Sequence, residues 1–285
     1  MPLPLIDPEL CLRGKTAVVT GANTGIGLIT ARELARAQAH VILACRTEEK
    51  ARNAMTQIAS DIPHASIAFQ SIDLGRLTSV RKAVDALKAQ QDGIDILVNN
   101  AGLAGSRGQT KDGFELAFGV NHLGHFALTT GLFGAFVDGG RIINVSSGAH
   151  YSAKAIDWAA LQKPTKHATG LPEYAVSKLA NVLFTRALSQ RLKSRQIDCY
   201  SLHPGIVASD VWRTVPTGIR HVIKWFMIGT EEGARTSLYC ATAPTLKGQT
   251  GLYWDKCKPK TPSRLARDSA LAEELWERSA RWVIP

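Results

Sequence analysis

The chain has 285 residues, 45% of them hydrophobic and 20% charged, with a formal net charge of +10. This composition suits one large domain with an ample core, and the basicity suits an anionic cofactor or an acidic surface. The 34 Lys and Arg residues are scattered among 24 Asp and Glu, with no long basic run and no nucleic-acid-binding motif, so no nucleic-acid partner is expected.

Five dispersed cysteines (Cys11, Cys45, Cys199, Cys240 and Cys257) include no C-x-x-C pair. A reducing compartment is therefore expected, with no disulfide frame and no metal site. Met1 to Pro8 has neither a basic n-region nor an apolar core, and no run of ~20 apolar residues occurs. The expectation is a soluble cytoplasmic chain without a signal peptide or an ordinary membrane span.

Lys15 to Thr20 is a β-branched run that reads as a buried strand. Gly21-Ala-Asn23-Thr24-Gly25-Ile26-Gly27 follows, and a helical pattern runs from Leu28 to Ala37. Strand, glycine turn and helix are the parts of a phosphate-cradling βα unit, in which the helix N-terminus attracts a pyrophosphate. His40 to Arg46 is the second strand. It ends in Cys45 and Arg46, where NAD-binding folds carry an acid for the ribose 2′-hydroxyl, and an arginine there suits a 2′-phosphate. NADP(H) is therefore the expected cofactor, with NAD(H) as the alternative. A helix follows over Thr47–Ser60 and a third strand over Ser66–Ile72, closed by Asp73-Leu74. Asp73 has two candidate roles, a bond to an adenine amino group or an N-cap for the helix starting near Leu77.

Ile94 opens a fourth strand that ends in Asn99-Asn100-Ala101-Gly102, and Arg141 opens a fifth that ends in Ser146-Ser147. Ligands sit at the carboxyl edge of such a sheet. Between them Asn121 interrupts a helical segment, as a satisfied buried asparagine would, and His122 and His125 read as structural or exposed because no acid or cysteine accompanies them at ligand spacing. Further on, Tyr174 and Lys178 stand four apart, on one helix face. An ammonium ~4 Å from a phenol favours the phenolate by roughly 4 kcal/mol at an effective dielectric of 20, about a thousandfold in acidity. That would bring the tyrosine near neutral, where general acid–base catalysis works best.

Thr20-Gly-x-x-x-Gly-x-Gly27, Asn99-Asn-Ala-Gly102, a serine after the fifth strand and Tyr174-x-x-x-Lys178 occur in the order seen in short-chain dehydrogenases/reductases, which residues 14–255 resemble. The resemblance implies that Ser147 holds the substrate oxygen and Tyr174 exchanges the proton. It also implies that Lys178 binds the nicotinamide ribose and Asn121 kinks its helix and anchors a relay water. Ser147 stands 27 positions before Tyr174, about twice the gap of compact members. The extra segment, Tyr151 to Pro172 with Ile156-Asp-Trp158, resembles the retinol-dehydrogenase-like branch, as does Ser177-Lys-Leu-Ala-Asn-Val-Leu-Phe184.

Ile197 to His203 reads as the sixth strand, and the Pro204-Gly205-Ile206-Val207 turn is expected, by resemblance, to close over the nicotinamide. Residues 206–230 would form a substrate lid, mixing Trp212, Trp225 and Phe226 with Arg213, Arg220 and Lys224, and would offer a surface for peripheral contact with an anionic membrane. A helix over Glu231–Ala241, a seventh strand over Gly251–Trp254 and a terminal helix over Asp268–Trp282 complete the chain.

The expected fold is one doubly wound α/β domain over residues 1–285, with about seven parallel strands flanked by helices. The expected activity is reversible hydride transfer between NADP(H) and a lipophilic aldehyde or ketone. The alternative is a sensor or scaffold that binds a dinucleotide without turnover. By resemblance the chain would form a homodimer or homotetramer through Phe114–Val137 and Leu171–Ser194.

Overall fold

The computed structural model describes residues 5–205 and 229–284. Its centre is an eight-stranded sheet in the order β3-β2-β1-β4-β5-β6-β7-β8. The strands are β1 (Thr16–Thr20), β2 (His40–Cys45), β3 (Ile67–Ser71), β4 (Ile94–Asn99), β5 (Phe136–Val145), β6 (Asp198–His203), β7 (Leu252–Asp255) and β8 (Lys258–Pro259). All pairings are parallel except β7 with β8, a two-residue antiparallel addition too short to carry a hydrophobic pattern. It raises the strand count above the seven expected.

Helices cover both faces, as burial of a parallel sheet requires. They are α1 (Gly25–Arg36), α2 (Glu48–Asp61), α3 (Leu77–Gln90), α4 (Leu116–Phe118), α5 (Gly124–Gly131), α6 (Leu171–Arg191), α7 (Thr230–Thr242) and α8 (Ser269–Val283). Alternation along β1 divides the core: Ala17 and Val19 face Leu34, Ala51 and Leu238, whereas Val18 faces Val80, Phe126 and Leu188. The order of strands reverses between β1 and β4, so the carboxyl ends of these two strands open a crevice at that point.

Within the segment Phe114–Val137 the helix expected to be kinked at Asn121 is broken up. The segment divides into α4, a π-helical turn over Gly119–Leu123, α5 and a 3₁₀ turn, and Phe136–Val137 already belong to β5. Close packing explains part of this: a Cβ on Gly124 would stand 2.5 Å from the Leu74 carbonyl oxygen.

Helix α6 is buried nearly all round, with 14 buried residues, because three elements cover it. One is the sheet, another is the π turn with α4, and the third is α8. Trp276 of α8 lies with its ring 4.9 Å from that of Phe126 and 5.9 Å from Phe184, and the Arg191 guanidinium stands 4.0 Å over its face. Ser279 Oγ lies 3.0 Å from Nε2 of the buried His122. The α5–α6 pair therefore buries its apolar face within the chain. No helix among the described residues is long and apolar enough to cross a membrane.

If α8 is part of this core, truncating Leu275, 1% exposed, should cost about 2–5 kcal/mol. Urea unfolding of Leu275→Ala should show the loss as a lower midpoint with an unchanged slope.

Candidate active site

A cleft of about 830 Å³ runs along the carboxyl ends of β1, β2, β4, β5 and β6. It takes in every expected dinucleotide contact except Val207, which lies outside the described residues together with the expected lid up to residue 228.

The glycine turn shows why its spacing matters. Gly21 and Gly25 have φ of +65° and +58°, a region that L side chains rarely adopt. A Cβ on Gly27 would collide with Asn100 Nδ2 and the Gly21 carbonyl oxygen, so α1 starts this close to the 99–102 loop only with glycine. The α1 N-terminus has no acid in its first turn and faces the cleft through Gly25 and Ile26. Unpaired helical N–H groups and a positive dipole end there suit a pyrophosphate.

Thr20 joins the two loops. Its Oγ1 accepts the main-chain N–H groups of Asn100 and Ala101, both at 2.9 Å, and lies 2.9 Å from His125 Nε2. His125 Nδ1 lies 3.0 Å from the Asn121 carbonyl oxygen, which only accepts, so the ring is the neutral Nδ1–H tautomer and Thr20 donates to Nε2. His125 and His122 are thus buried structural groups. Burial pushes their pKa values down to about 4 and about 3.

At the far end, Cys45 is buried and its thiol is pushed up to about 11 by that burial, which leaves it inert. Arg46 is exposed and borders the cleft, as does Lys50 in the first turn of α2. Lys50 went unread in the sequence, although its i,i+4 spacing from Arg46 was visible. Asp73 also borders the cleft, but its carboxylate accepts from Gly75 N at 3.0 Å and does not cap α3. The cap comes from Asp112, whose carboxylate accepts from Leu77 N at 2.8 Å across 35 residues, a pairing that no local pattern reveals.

Helix α6 brings Tyr174 and Lys178 to the end of β5. The Tyr174 hydroxyl hydrogen-bonds the Ser147 side chain inside the cleft. Ser147 Oγ also accepts from Ala149 N at 3.1 Å, which fixes it at the head of a 3₁₀ turn. Ser146 points the other way and donates to the Lys178 carbonyl at 2.7 Å.

Lys178 Nζ donates to the Val145 carbonyl at 2.9 Å and lies 5.7 Å from the centroid of the Tyr174 ring. This corrects the expected acidity. The ammonium turns to the strand-end carbonyl, and burial, the larger influence, raises the Tyr174 pKa above that of an ordinary phenol against the opposing pull of Ser147. Burial alone brings Lys178 down to about 7.

Asn121 stands behind this group, not on the cleft wall. Its amide donates to the Leu103 carbonyl at 3.0 Å and to Ser177 Oγ at 2.9 Å, and its Oδ1 accepts from Leu103 N at 2.9 Å. With its carbonyl turned to His125, it is the satisfied buried asparagine of the π turn.

A dinucleotide fits these residues: the glycines leave room for it, a helix N-terminus meets its pyrophosphate and two cations meet one end. The model of the family described as "short chain dehydrogenase" matches residues 15–219. Retinol dehydrogenase 12 of Bos taurus is 41% identical over 280 residues, covering 94% of this chain and 86% of that protein. Dehydrogenase/reductase SDR family member 13 of Homo sapiens is 38% identical, with 95% and 73% covered. Among solved structures, an uncharacterized protein from Mycobacterium Paratuberculosis superposes with a TM-score of 0.78 at 32% identity, over 96% of this chain and 94% of that one. A blue fluorescent protein from a metagenomic library, in complex with NADPH, does so with a TM-score of 0.70 at 26% identity, over 86% and 96%.

Because His122 and His125 are neutral when folded and titrate near 6.5 when unfolded, the unfolded chain binds more protons between these values. Stability is then fully present above pH ~6.5 and lost as pH falls, by up to about 1.4 kcal/mol per pH unit for each ring. Urea unfolding from pH 6.5 to about 4.5 checks this, and His125→Gln should remove one ring's share of the slope. Fold, site and likeness agree: the chain belongs to the short-chain dehydrogenase/reductase family of oxidoreductases, on its retinol-dehydrogenase-like branch.

Proposed function

We propose that this chain interconverts a lipophilic aldehyde or ketone and its alcohol with NADP(H), using Ser147, Tyr174 and Lys178. The observation that carries this reading is the Ser147–Tyr174 hydrogen bond, set beside a buried lysine in a cleft that ends in Arg46 and Lys50.

When bound, the nicotinamide would supply the hydride or accept it; the protein supplies position and charge. Ser147 and Tyr174 would hold the substrate oxygen between two hydroxyls and stabilise charge developing on it. A phenol whose pKa is raised by burial stays protonated at rest, which is the form needed to donate a proton to that oxygen as it becomes an alkoxide. Lys178, at the cofactor side of Tyr174 and close to Gly102, would hold the nicotinamide ribose. Asn121 would serve by fixing Leu103 in the cleft wall, where an anchored relay water is the further expectation from the family. Leu103, Leu116 and Val120 make that wall apolar, in keeping with the retinol dehydrogenases among the relatives. Arg46 and Lys50 would receive a 2′-phosphate through charge-assisted hydrogen bonds.

NADPH oxidation across short, aromatic, steroid and retinoid carbonyls tests the reading. Tyr174→Phe should lower kcat by at least about 10²-fold while NADPH binding, followed by fluorescence, stays within about twofold. Binding without turnover of any carbonyl, unchanged by Tyr174→Phe, would place the chain among dinucleotide sensors. Arg46→Asp should weaken NADPH by about 10- to 100-fold and leave NADH nearly unaffected. Equal losses for both would remove the preference for the phosphorylated cofactor.

A further inference from the structure

Two histidines that the mechanism does not use lie against opposite ends of a single peptide group. That group joins Ser147 to Gly148. Its oxygen, on Ser147, lies 2.7 Å from His150 Nδ1, and its N–H, on Gly148, donates to His203 Nδ1 at 3.1 Å. We propose that His150 and His203 are positioning residues that clamp this peptide and so aim the Ser147 hydroxyl. The inference rests on the reading of Ser147 as the group that holds the substrate oxygen.

Hydrogen-bond chemistry assigns the two rings opposite tautomers. The Ser147 oxygen only accepts, so His150 carries its proton on Nδ1. Its Nε2 then has a lone pair, and this accepts from Ser263 N at 3.1 Å. The Gly148 N–H only donates, so His203 keeps Nδ1 bare and carries its proton on Nε2.

The His150 ring is held from behind. His150 is fully buried, with its centroid 4.7 Å from the Tyr253 ring. His203 ends β6 in register with Asp255 of β7, which is itself paired with Lys260 at 2.6 Å. The His203 ring also lies against Gly148, where a Cβ would be in ordinary van der Waals contact with it, 3.5 Å from Nε2.

A peptide plane fixed at both ends leaves the preceding residue little freedom in ψ, and that torsion carries the Cα–Cβ bond of Ser147 with it. The local turn restrains only one side: Ser147 O also accepts the His150 main-chain N–H, at 3.2 Å. The N–H of Gly148 has His203 for its partner. A hydroxyl displaced by about 1 Å loses its alignment with the Tyr174 oxygen and with the reacting carbon, a displacement that can cost on the order of 10²-fold in rate.

Asparagine places an amide oxygen or nitrogen where histidine has Nδ1, and leucine fills similar space with neither. In carbonyl reduction with NADPH, His203→Leu and His150→Leu should lower kcat by about 10- to 100-fold, with NADPH affinity within about twofold of wild type. His203→Asn and His150→Asn should recover most of the lost rate. Leucine variants as fast as wild type, or asparagine variants no faster than leucine, would overturn the clamp. A second arm needs no turnover: ¹⁵N spectra of the histidine rings in the wild-type protein at pH 7.5 should show the proton of His150 on Nδ1 and that of His203 on Nε2. A proton on His203 Nδ1 would overturn the proposal whether or not the leucine variants fold. Wild-type protein that reduces no carbonyl would remove the proposed function, and the ring spectra would then decide the clamp alone.

Discussion

The site depends on a buried ammonium fastened to the end of a strand. Lys178 is 4% exposed and its Nζ donates to the Val145 carbonyl at 2.9 Å; one turn later Asn181 Nδ2 donates to the same oxygen at 3.2 Å. From the strand side, Ser146 Oγ donates to the Lys178 carbonyl at 2.7 Å. Three bonds thus tie α6 to β5 at the point where the chain turns into Ser147. Parallel pairing with β4 and β6 fixes the height of that point, and the helix repeat then sets Tyr174 over the serine. Desolvating the ammonium is costly, which shows in its lowered pKa, and the carbonyl lone pairs offset part of that cost.

Much of this was legible in the chain because the governing rules are local. Buried parallel strands draw on short, largely apolar runs, so β1, β2 and β4 fall within one residue or so of their expected ends at most boundaries. Gly27 was legible for a similar reason, since only a missing Cβ lets α1 meet the Asn100 loop. What sequence spacing does not carry is direction across the third dimension. Tyr174 and Lys178 share a helix face, as i and i+4 must, but the lysine has four methylenes and a carbonyl within reach, and it goes there. The expected acidification of the phenol fails on that choice. Asp112 capping α3, and His150 and His203 meeting at one peptide, are pairings between distant segments and leave no periodic trace. The kink at Asn121 was expected from the family resemblance alone; its π turn goes with the close approach of α5 to Leu74 and the hydrogen bonds of Asn121 to Leu103 and Ser177.

The segment that lengthens the gap between Ser147 and Tyr174 packs into a third cluster of the core. Leu161 is buried with Phe114 and Leu179, and Trp158 lies 6.5 Å from Trp282 and beneath the Arg278 guanidinium at 4.7 Å. Two carboxylates then tie it down. Glu115 is buried and held above its ordinary pKa by that burial; it caps α4 by accepting from Phe118 N at 2.8 Å and accepts the Thr165 hydroxyl at 2.5 Å. Glu173 accepts from Lys166 N at 3.0 Å and His167 N at 2.9 Å, and these bonds outweigh burial and keep it ionised to lower pH than usual.

The consequence reaches the cleft. The Thr165 hydroxyl accepts the Gly108 N–H and the Thr165 main-chain N–H donates to the Gly108 carbonyl at 3.0 Å, in the loop whose Ser106, Gln109 and Thr110 border the cleft, and Gly170 sits so close to Ser106 that a Cβ would stand 2.9 Å from its carbonyl oxygen. Gly170 in turn accepts the Tyr174 main-chain N–H at 3.0 Å. The added segment therefore joins one wall of the cleft to the first turn of the helix that carries the tyrosine. A chain with half the gap between serine and tyrosine has no material from which to build this link. In this chain, then, the wall that would meet the substrate is braced from the same helix that would deliver the proton, so a change of shape at either is mechanically a change at both.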